Sequence, residues 1–261
     1  MKRSDRGYPP LARRLYSVWY RHMRVYARDL ISNGVPPFLE PIIFLLGIGF
    51  GLGKYVSGMQ GLPYVVFLAT AMPMTSAMFT ASYECTFGTF VRLEFSKTYE
   101  GMLAAPITVR DLFLGELLWA GSKGFFFAAC VVLAMLAFGV APMPGSLWGP
   151  LVGLVTGTAF GALSLLVTSL VKNINHFNFY FTGLLSPMFF FCGAVFPLEE
   201  LPPAVRIVSE VLPLTHAVRL CRALAIGHFQ PVLFADALFL LLFSVVFGYF
   251  AIARLARRII V

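Results

Sequence analysis

Charge is scarce in this chain. Asp, Glu, Lys and Arg make up 12% of 261 residues, about half the share of an average soluble domain. Cysteine is scarce too: Cys85, Cys130, Cys192 and Cys221 are scattered and form no C-x-x-C pair, which argues against a thiolate zinc site and a thioredoxin-like motif. Cys192 and Cys221 could approach one another in the fold, but single cysteines in apolar runs are expected to pack. His22, His176, His216 and His228 are dispersed, and neither H-E-x-x-H nor G-x-S-x-G occurs. The glycine-rich GFGLGK at 49–54 is not a phosphate loop, because Ile48 stands five positions before Gly53 and Tyr55 follows Lys54. Nothing here predicts nucleotide hydrolysis, a metal site or a catalytic residue. The amino terminus has no compact apolar core leading to a small-residue cleavage site, so it is expected to stay in the cytoplasm.

Apolar residues are abundant: 59% of the chain, with a mean hydropathy of +0.81. That is more apolar surface than one soluble core can bury, and a bilayer must solvate the remainder. A helix needs about 20 mainly apolar residues to cross the hydrocarbon core. Six segments qualify, near 36–58, 63–84, 111–140, 147–171, 176–196 and 232–253, which predicts an all-α integral membrane fold. With both termini inside, Lys2, Arg3, Arg6, Arg13, Arg14, Arg21, Arg24, Arg28, Arg92, Lys97, Arg110, Lys172, Arg254, Arg257 and Arg258 share the cytoplasmic side. Only Lys54, Arg206, Arg219 and Arg222 face the other, and this bias sets the orientation. The net charge of +8 is therefore an orientation signal rather than a nucleic-acid footprint.

Residues 1–33 read as a cytoplasmic leader followed by an amphipathic helix. Leu11, Leu15, Trp19, Met23, Tyr26 and Leu30 recur at helical intervals, with arginines on the remaining surface, so this helix is expected to lie in the membrane interface. Residues 34–261 form the six-span domain. Glu40, Glu84, Glu116 and Lys123 are ionisable residues in or near spans, hence candidate pathway residues. For Glu40 and Glu84, as for Asp236, a position near a span end makes snorkelling to the interface the simpler expectation. Glu116 and Lys123 lie seven apart, too far for an ideal local pair. The third span opens on Asp111 and Glu116, so its first turns are expected to project into the cytoplasm.

Gly47, Gly49, Gly51 and Gly53 in the first span, and Gly149, Gly153, Gly157 and Gly161 in the fourth, suit close helix packing, within this chain or against a second copy. Between spans two and three, Phe95, Tyr99, Met102 and Leu103 recur at helical spacing and predict a short amphipathic helix ending before Pro106. The tract FPLEELPPAVRIVSEVLPLTHAVRLCRAL at 196–224 holds two amphipathic pieces broken at Pro197 and Pro213. It reads as two half-helices dipping into one face of the membrane, where irregular backbone survives only if protein or water satisfies it. Glu199 and Glu200 are adjacent and diverge on a helix, favouring a first-turn charge pair over an acid/base couple.

This arrangement, with KTYEGMLAAPIT at 97–108 and the 196–224 tract as its sharpest pieces, resembles the type-2 ABC exporter permeases over nearly the whole chain. Within that family GFGLGKYVSGMQGLPYVVFLA, SAMFTASYE and LGELLWAGSK are most similar to the nodulation protein J subgroup, permeases associated with lipo-chitooligosaccharide export. The resemblance implies a coupling helix at 94–103, seated in a groove of a separate ATP-binding subunit. Glu94, Thr98, Tyr99, Glu100 and Leu103 would be its contacts. It implies outer gate helices at 199–212 and 214–226, with Pro197, Glu199, Pro202, Pro213 and His216 as gate residues. Gly47, Gly51, Gly153, Gly157 and Gly161 would serve helix packing. Two copies of the chain would pair with two ATP-binding subunits, which hold ATP and Mg, in a bacterial cytoplasmic (inner) membrane. The expected cargo is an amphiphile such as a lipo-oligosaccharide, moved by alternating access; the 27 Phe and 10 Tyr suit one. Rival readings are a drug or other-lipid ABC exporter permease, a secondary transporter, a membrane-bound lipid transferase and a non-transporting structural subunit. A secondary transporter would want inverted repeats and midplane carboxylates, and a transferase a cluster of Asp or His at a span end. Neither pattern stands out.

Overall fold

The computed structural model describes residues 8–56 and 58–260, without the side chains at 33, 36–38, 40 and 260; Glu40 as a candidate therefore lies outside the described side chains. Among the described residues every named element is helical. Four helical runs are long and apolar enough to cross a membrane: Tyr64–Phe95, Val109–Ala137, Gly145–Leu170 and Val232–Ile259. They coincide with the second, third, fourth and sixth expected spans.

The amphipathic helix is α1, Leu11–Arg28. The first expected span is α2, Leu30–Phe44, continued by the π-helical turn Leu45–Phe50, with Pro41–Phe50 as its apolar part. The second is α3, Tyr64–Ala69, and α4, Met72–Tyr83, which run on through π-helical turns Glu84–Gly88 and Val91–Phe95. It thus continues past residue 84, where the apolar run ends in the sequence. α5 is the short Thr98–Leu103, α6 is Val109–Ala137 and α7 is Gly149–Leu170. The fifth expected span is built from α8, Phe177–Tyr180, a π-helical turn Phe181–Leu185 and α9, Ser186–Phe191. α10, Pro203–Ser209, and α11, Pro213–Ile226, precede the closing helix α12, Val232–Ile260.

Local chemistry explains several of these boundaries. Thr108 caps α6 by accepting from the Asp111 amide while the Asp111 carboxylate accepts from the Thr108 amide, a reciprocal capping box. Pro213 stands in the first turn of α11, where its missing N–H costs nothing, and Gly227 ends the helix at φ 76°. The segment expected as one helix at 94–103 is divided at Lys97, whose φ of 46° breaks the helix. Only Thr98–Leu103 then forms the short helix. The outer tract departs from expectation in the same way: Leu198–Glu200 is a 3₁₀ turn and Pro203 restarts the chain as α10, so the first gate piece is shorter than 199–212.

The core is centred on α4, α6 and α7. Their backbones come close because small residues face each other. A Cβ on Gly124 of α6 would stand 2.3 Å from the Gly153 carbonyl oxygen, and one on Gly157 would stand 2.7 Å from the Ala120 oxygen. Gly153 and Gly161 meet the Ala128 and Ala120 methyls. The fourth-span stripe therefore packs within the chain. Gly47 and Gly51 do not: among the described residues a Cβ on either would meet nothing within 4 Å.

α1 crosses the first half of α6. Val18 sits where Gly115 leaves room, since a Gly115 Cβ would lie 2.5 Å from Val18 Cγ1. The inward face of α1 is Val18 and His22, while Leu11 and Leu30 of the expected apolar stripe stay exposed. α1 also covers Asp111 and Glu116, which are buried, so the first turns of α6 pack against α1. An Arg14–Asp111 ion pair at 2.5 Å fastens the crossing.

Candidate functional site

Where α1, the end of the α4 run, α5 and α6 meet, six polar side chains form one connected network, with His22, Tyr99, Glu116 and Lys123 buried and Glu84 and Arg92 partly buried. Arg92 is its hub. Its guanidinium donates to Glu84 Oε1 at 2.7 Å, to Glu116 Oε2 at 2.9 Å and to the Tyr99 hydroxyl at 3.2 Å. Tyr99 in turn donates to Glu116 Oε1 at 2.6 Å. Lys123 donates to Glu84 Oε2 at 3.0 Å, and His22 Nε2 lies 2.9 Å from Glu116 Oε1. Two carboxylates are thus matched by two cations, Arg92 and Lys123, with the His22 ring beside Glu116. Such matching is required, because an uncompensated charge inside a protein in a membrane is costly.

The helical architecture produces the cluster. Glu84 and Arg92 are eight residues apart on one continuous helical run, so they share a face across two turns. Glu116 and Lys123 share a face of α6 two turns apart. They do not touch directly but join through Arg92 and Glu84. Snorkelling does not describe Glu84, which is fixed inside by two cations. The ligand atoms of His22, Glu84 and Glu116 lie within 4.8 Å of one another, a spacing a metal could use. Arg92 and Lys123 already supply the positive charge there, so the cluster is a salt-bridge network.

Tyr99 links this network to the surface. It belongs to α5, yet its side chain is turned inward and is 1% exposed. Burial pushes its phenol well above the ordinary tyrosine range, which keeps it an O–H donor. Of the expected coupling residues, Glu94 and Glu100 are exposed and Thr98 and Leu103 half-buried. Glu94 is engaged by Arg258 at 2.7 Å.

A cavity of about 910 Å³ opens beside the network, at the large end of the usual range for ligand sites. One end presents Arg21, Glu84 and Lys123. The cavity lining also has an aromatic cluster in which Phe44 and Phe79, from the first and second expected spans, meet Phe189 of the fifth. Ser76 lines the cavity with a buried hydroxyl that has no hydrogen-bond partner among the described residues. Such a space suits a molecule with a polar and an apolar end.

A second polar cluster lies at the other end of the helices. Asp236 of α12 is 1% exposed and accepts from Arg219 at 2.6 and 2.9 Å, with His216 Nδ1 at 2.6 Å. Arg219 also grips Glu210 at 2.9 Å. Asp236 is therefore held by α11 rather than reaching for the interface. Arg222 is buried, donates to the Phe67 and Gly193 carbonyls and stands 3.7 Å over the Phe67 ring. Among the remaining gate candidates, Pro197 and Pro213 are buried, Pro202 is exposed, and Glu199 accepts from Gln60 at 2.9 Å. Cys192 and Cys221 are buried and free.

Sequence reasoning missed Arg92, His22 and the role of Arg219 and Arg222. The eight-residue interval from Glu84 to Arg92 was the available signal, hidden because the charges at 92–100 resemble a loop.

Comparison with known proteins agrees with this architecture. The profile of the family described as ABC-2 type transporter matches residues 13–226. The chain is 35% identical over 244 residues to nodulation protein J of Sinorhizobium fredii, covering 94% of this chain and 93% of that one. It is 33% identical to nodulation protein J of Rhizobium meliloti, over 81% and 80% of the two chains. The inner membrane transport permease YadH of Escherichia coli is a more distant relative, 22% identical over 78% and 79%.

Proposed function

Because the chain belongs to the ABC-2 type transporter family, and so is a multi-pass transmembrane subunit working with an ABC ATP-binding partner, we propose that it is the permease of an ATP-driven exporter of amphiphiles. A lipo-oligosaccharide or similar glycolipid is the cargo, and the bacterial inner membrane is the site. Two copies of the chain pair with two ATP-binding subunits, which bind ATP and Mg. Relatives named nodulation protein J, together with the resemblance to permeases of lipo-chitooligosaccharide export, support this cargo class.

The observation that carries the reading is the double-sided character of α5. Its Glu100 side chain is 69% exposed, while Tyr99, the preceding residue, enters the buried network that borders the cavity. A force applied to the outer face of α5 reaches Glu116 through one hydrogen bond, and Glu84 through Arg92. From there it reaches α1, α4 and α6 together. In alternating access, closure of the ATP-binding subunits would push on Glu100 and its neighbours. The network would move as a unit, and the cavity would change its opening.

The test is ATPase activity and cargo movement of the co-expressed complex in lipid nanodiscs, with wild type, Glu100→Ala and Tyr99→Phe. Glu100→Ala is expected to weaken assembly with the ATP-binding subunit. Tyr99→Phe is expected to assemble normally and to hydrolyse ATP with cargo movement lowered. If no ATP-binding subunit associates with the wild type, the exporter reading fails and an ion-driven carrier using Glu84 and Glu116 takes its place.

A further inference from the structure

A second concave site lies away from the network, between the end of α7 and the last turns of α12. It has a volume of about 720 Å³ and is lined by Lys172, Arg254, Arg257 and Arg258, with Tyr249 and Phe250 at its edge and no carboxylate in its wall. Arg258 is spoken for: it donates to the Thr168 and Val171 carbonyls at 2.7 and 2.8 Å and to Glu94 at 2.7 Å. That satisfies the carbonyls left open at the end of α7. Lys172, Arg254 and Arg257 are exposed and have no ion pair or hydrogen bond among the described residues.

We propose that this groove binds the headgroup of an anionic phospholipid. Three uncompensated cations converge on a concave surface, so the ligand must be anionic. The apolar flank says which kind. Tyr249 is 70% exposed and Phe250 53% exposed. They precede Arg257 and Arg254 by two turns and one turn, so each lies above a cation on the same side of α12. Val245 and Val246, one turn further back, are exposed as well. An acyl chain lying along these residues would bring its phosphate to Arg254 and Arg257, with Lys172 closing the groove from α7. Basic pockets between helix ends at a membrane face recognise lipid phosphates in this manner. A soluble protein partner would leave the aromatic flank, which continues the exposed apolar face of α12, without a role.

The experiment is native mass spectrometry of the detergent-purified full chain, titrated with dioleoylphosphatidylglycerol and, separately, dioleoylphosphatidylcholine. The two share acyl chains and differ in headgroup charge. Wild type is expected to retain the anionic lipid preferentially. The triple variant Lys172→Gln, Arg254→Gln, Arg257→Gln should lose that preference by about fivefold per charge removed, compounded. Arg13→Gln, Arg24→Gln, Arg28→Gln removes the same charge from α1 and should keep it. Should the triple variant fail to fold, Arg254→Gln and Arg257→Gln singly should each show the one-charge loss. Equal binding of both lipids by wild type overturns the proposal. So does equal loss in both triple variants, which would mean diffuse attraction, or displacement of the lipid by inorganic phosphate at matched concentration, which would mean a simple anion pocket. The same triple variant is also co-expressed with the ATP-binding subunit: unchanged lipid preference with loss of that subunit would make the groove a protein docking surface and overturn the proposal equally.

Discussion

Arg92 holds the balance of the buried network, so single changes there have unequal and predictable effects. Arg92→Met keeps the volume and leaves Glu84 and Glu116 facing each other with less positive charge between them. Breaking a buried pair from one side costs about 3–5 kcal/mol, and thermal unfolding of the purified chain should register a loss of that order. Tyr99→Phe removes two charge-assisted hydrogen bonds, the one it donates to Glu116 and the one it accepts from Arg92, and should cost at least about 1.5–3 kcal/mol. A double-mutant cycle of Tyr99→Phe with Glu116→Leu is expected to give a coupling of about 1 kcal/mol or more, since each change deletes the same 2.6 Å contact. Additive effects would mean that the bond contributes nothing on its own, and the proposed transmission through Tyr99 would lose its basis.

At the scale of elements, the glycines divide into two groups that sequence spacing alone could not separate. Gly153, Gly157 and Gly161 are close-packed against α6, whereas Gly47 and Gly51 face open space among the described residues. Gly124→Ala would drive a methyl into the Gly153 carbonyl region and should destabilise by about 1–3 kcal/mol through overpacking. Gly51→Ala should leave the stability of the single chain within about 1 kcal/mol or raise it, because alanine favours helix. Denaturation of both variants decides the matter: a Gly51→Ala as damaging as Gly124→Ala would place a neighbour against α2. The stripe at four-residue intervals was legible in the sequence because periodicity identifies a face. Its partner was not, because Ala120, Gly124 and Ala128 on α6 carry no distinctive pattern. The same limit hid the network. Hydropathy reads Arg92 as the end of a span, since a one-dimensional average cannot record that a charge is neutralised by Glu84 and Glu116. The short helix after span two was legible from Tyr99, Met102 and Leu103. The inward turn of Tyr99 was not, since an amphipathic pattern does not say whether its apolar side meets membrane, partner or the chain itself.

For the whole molecule, the question is how often the chain crosses the bilayer. The four long apolar helices each suffice. The helical run at 30–52 extends about 34 Å at 1.5 Å per residue, long enough for a hydrocarbon core of about 30 Å. The run at 174–191 reaches only about 27 Å, so the crossing count turns on it. Single cysteines at exposed positions, in a background with Cys130→Ser, resolve this with a membrane-impermeant maleimide applied to spheroplasts. Gln60→Cys and Ile207→Cys are expected to react in intact spheroplasts, and Ala105→Cys and Asn175→Cys only after permeabilisation. Labels at 60 and 105 on opposite sides report the Tyr64–Phe95 crossing, and those at 175 and 207 report the shorter run. If 175 and 207 react on the same side, the 174–191 segment enters and leaves by one face and six spans become five. If all four labels invert, the chain lies the other way up, and the excess of Arg and Lys near the termini does not set its orientation. The expected pattern puts α5 on the side of ATP and the Arg219–Asp236 cluster on the far side, as an ATP-driven outward route requires.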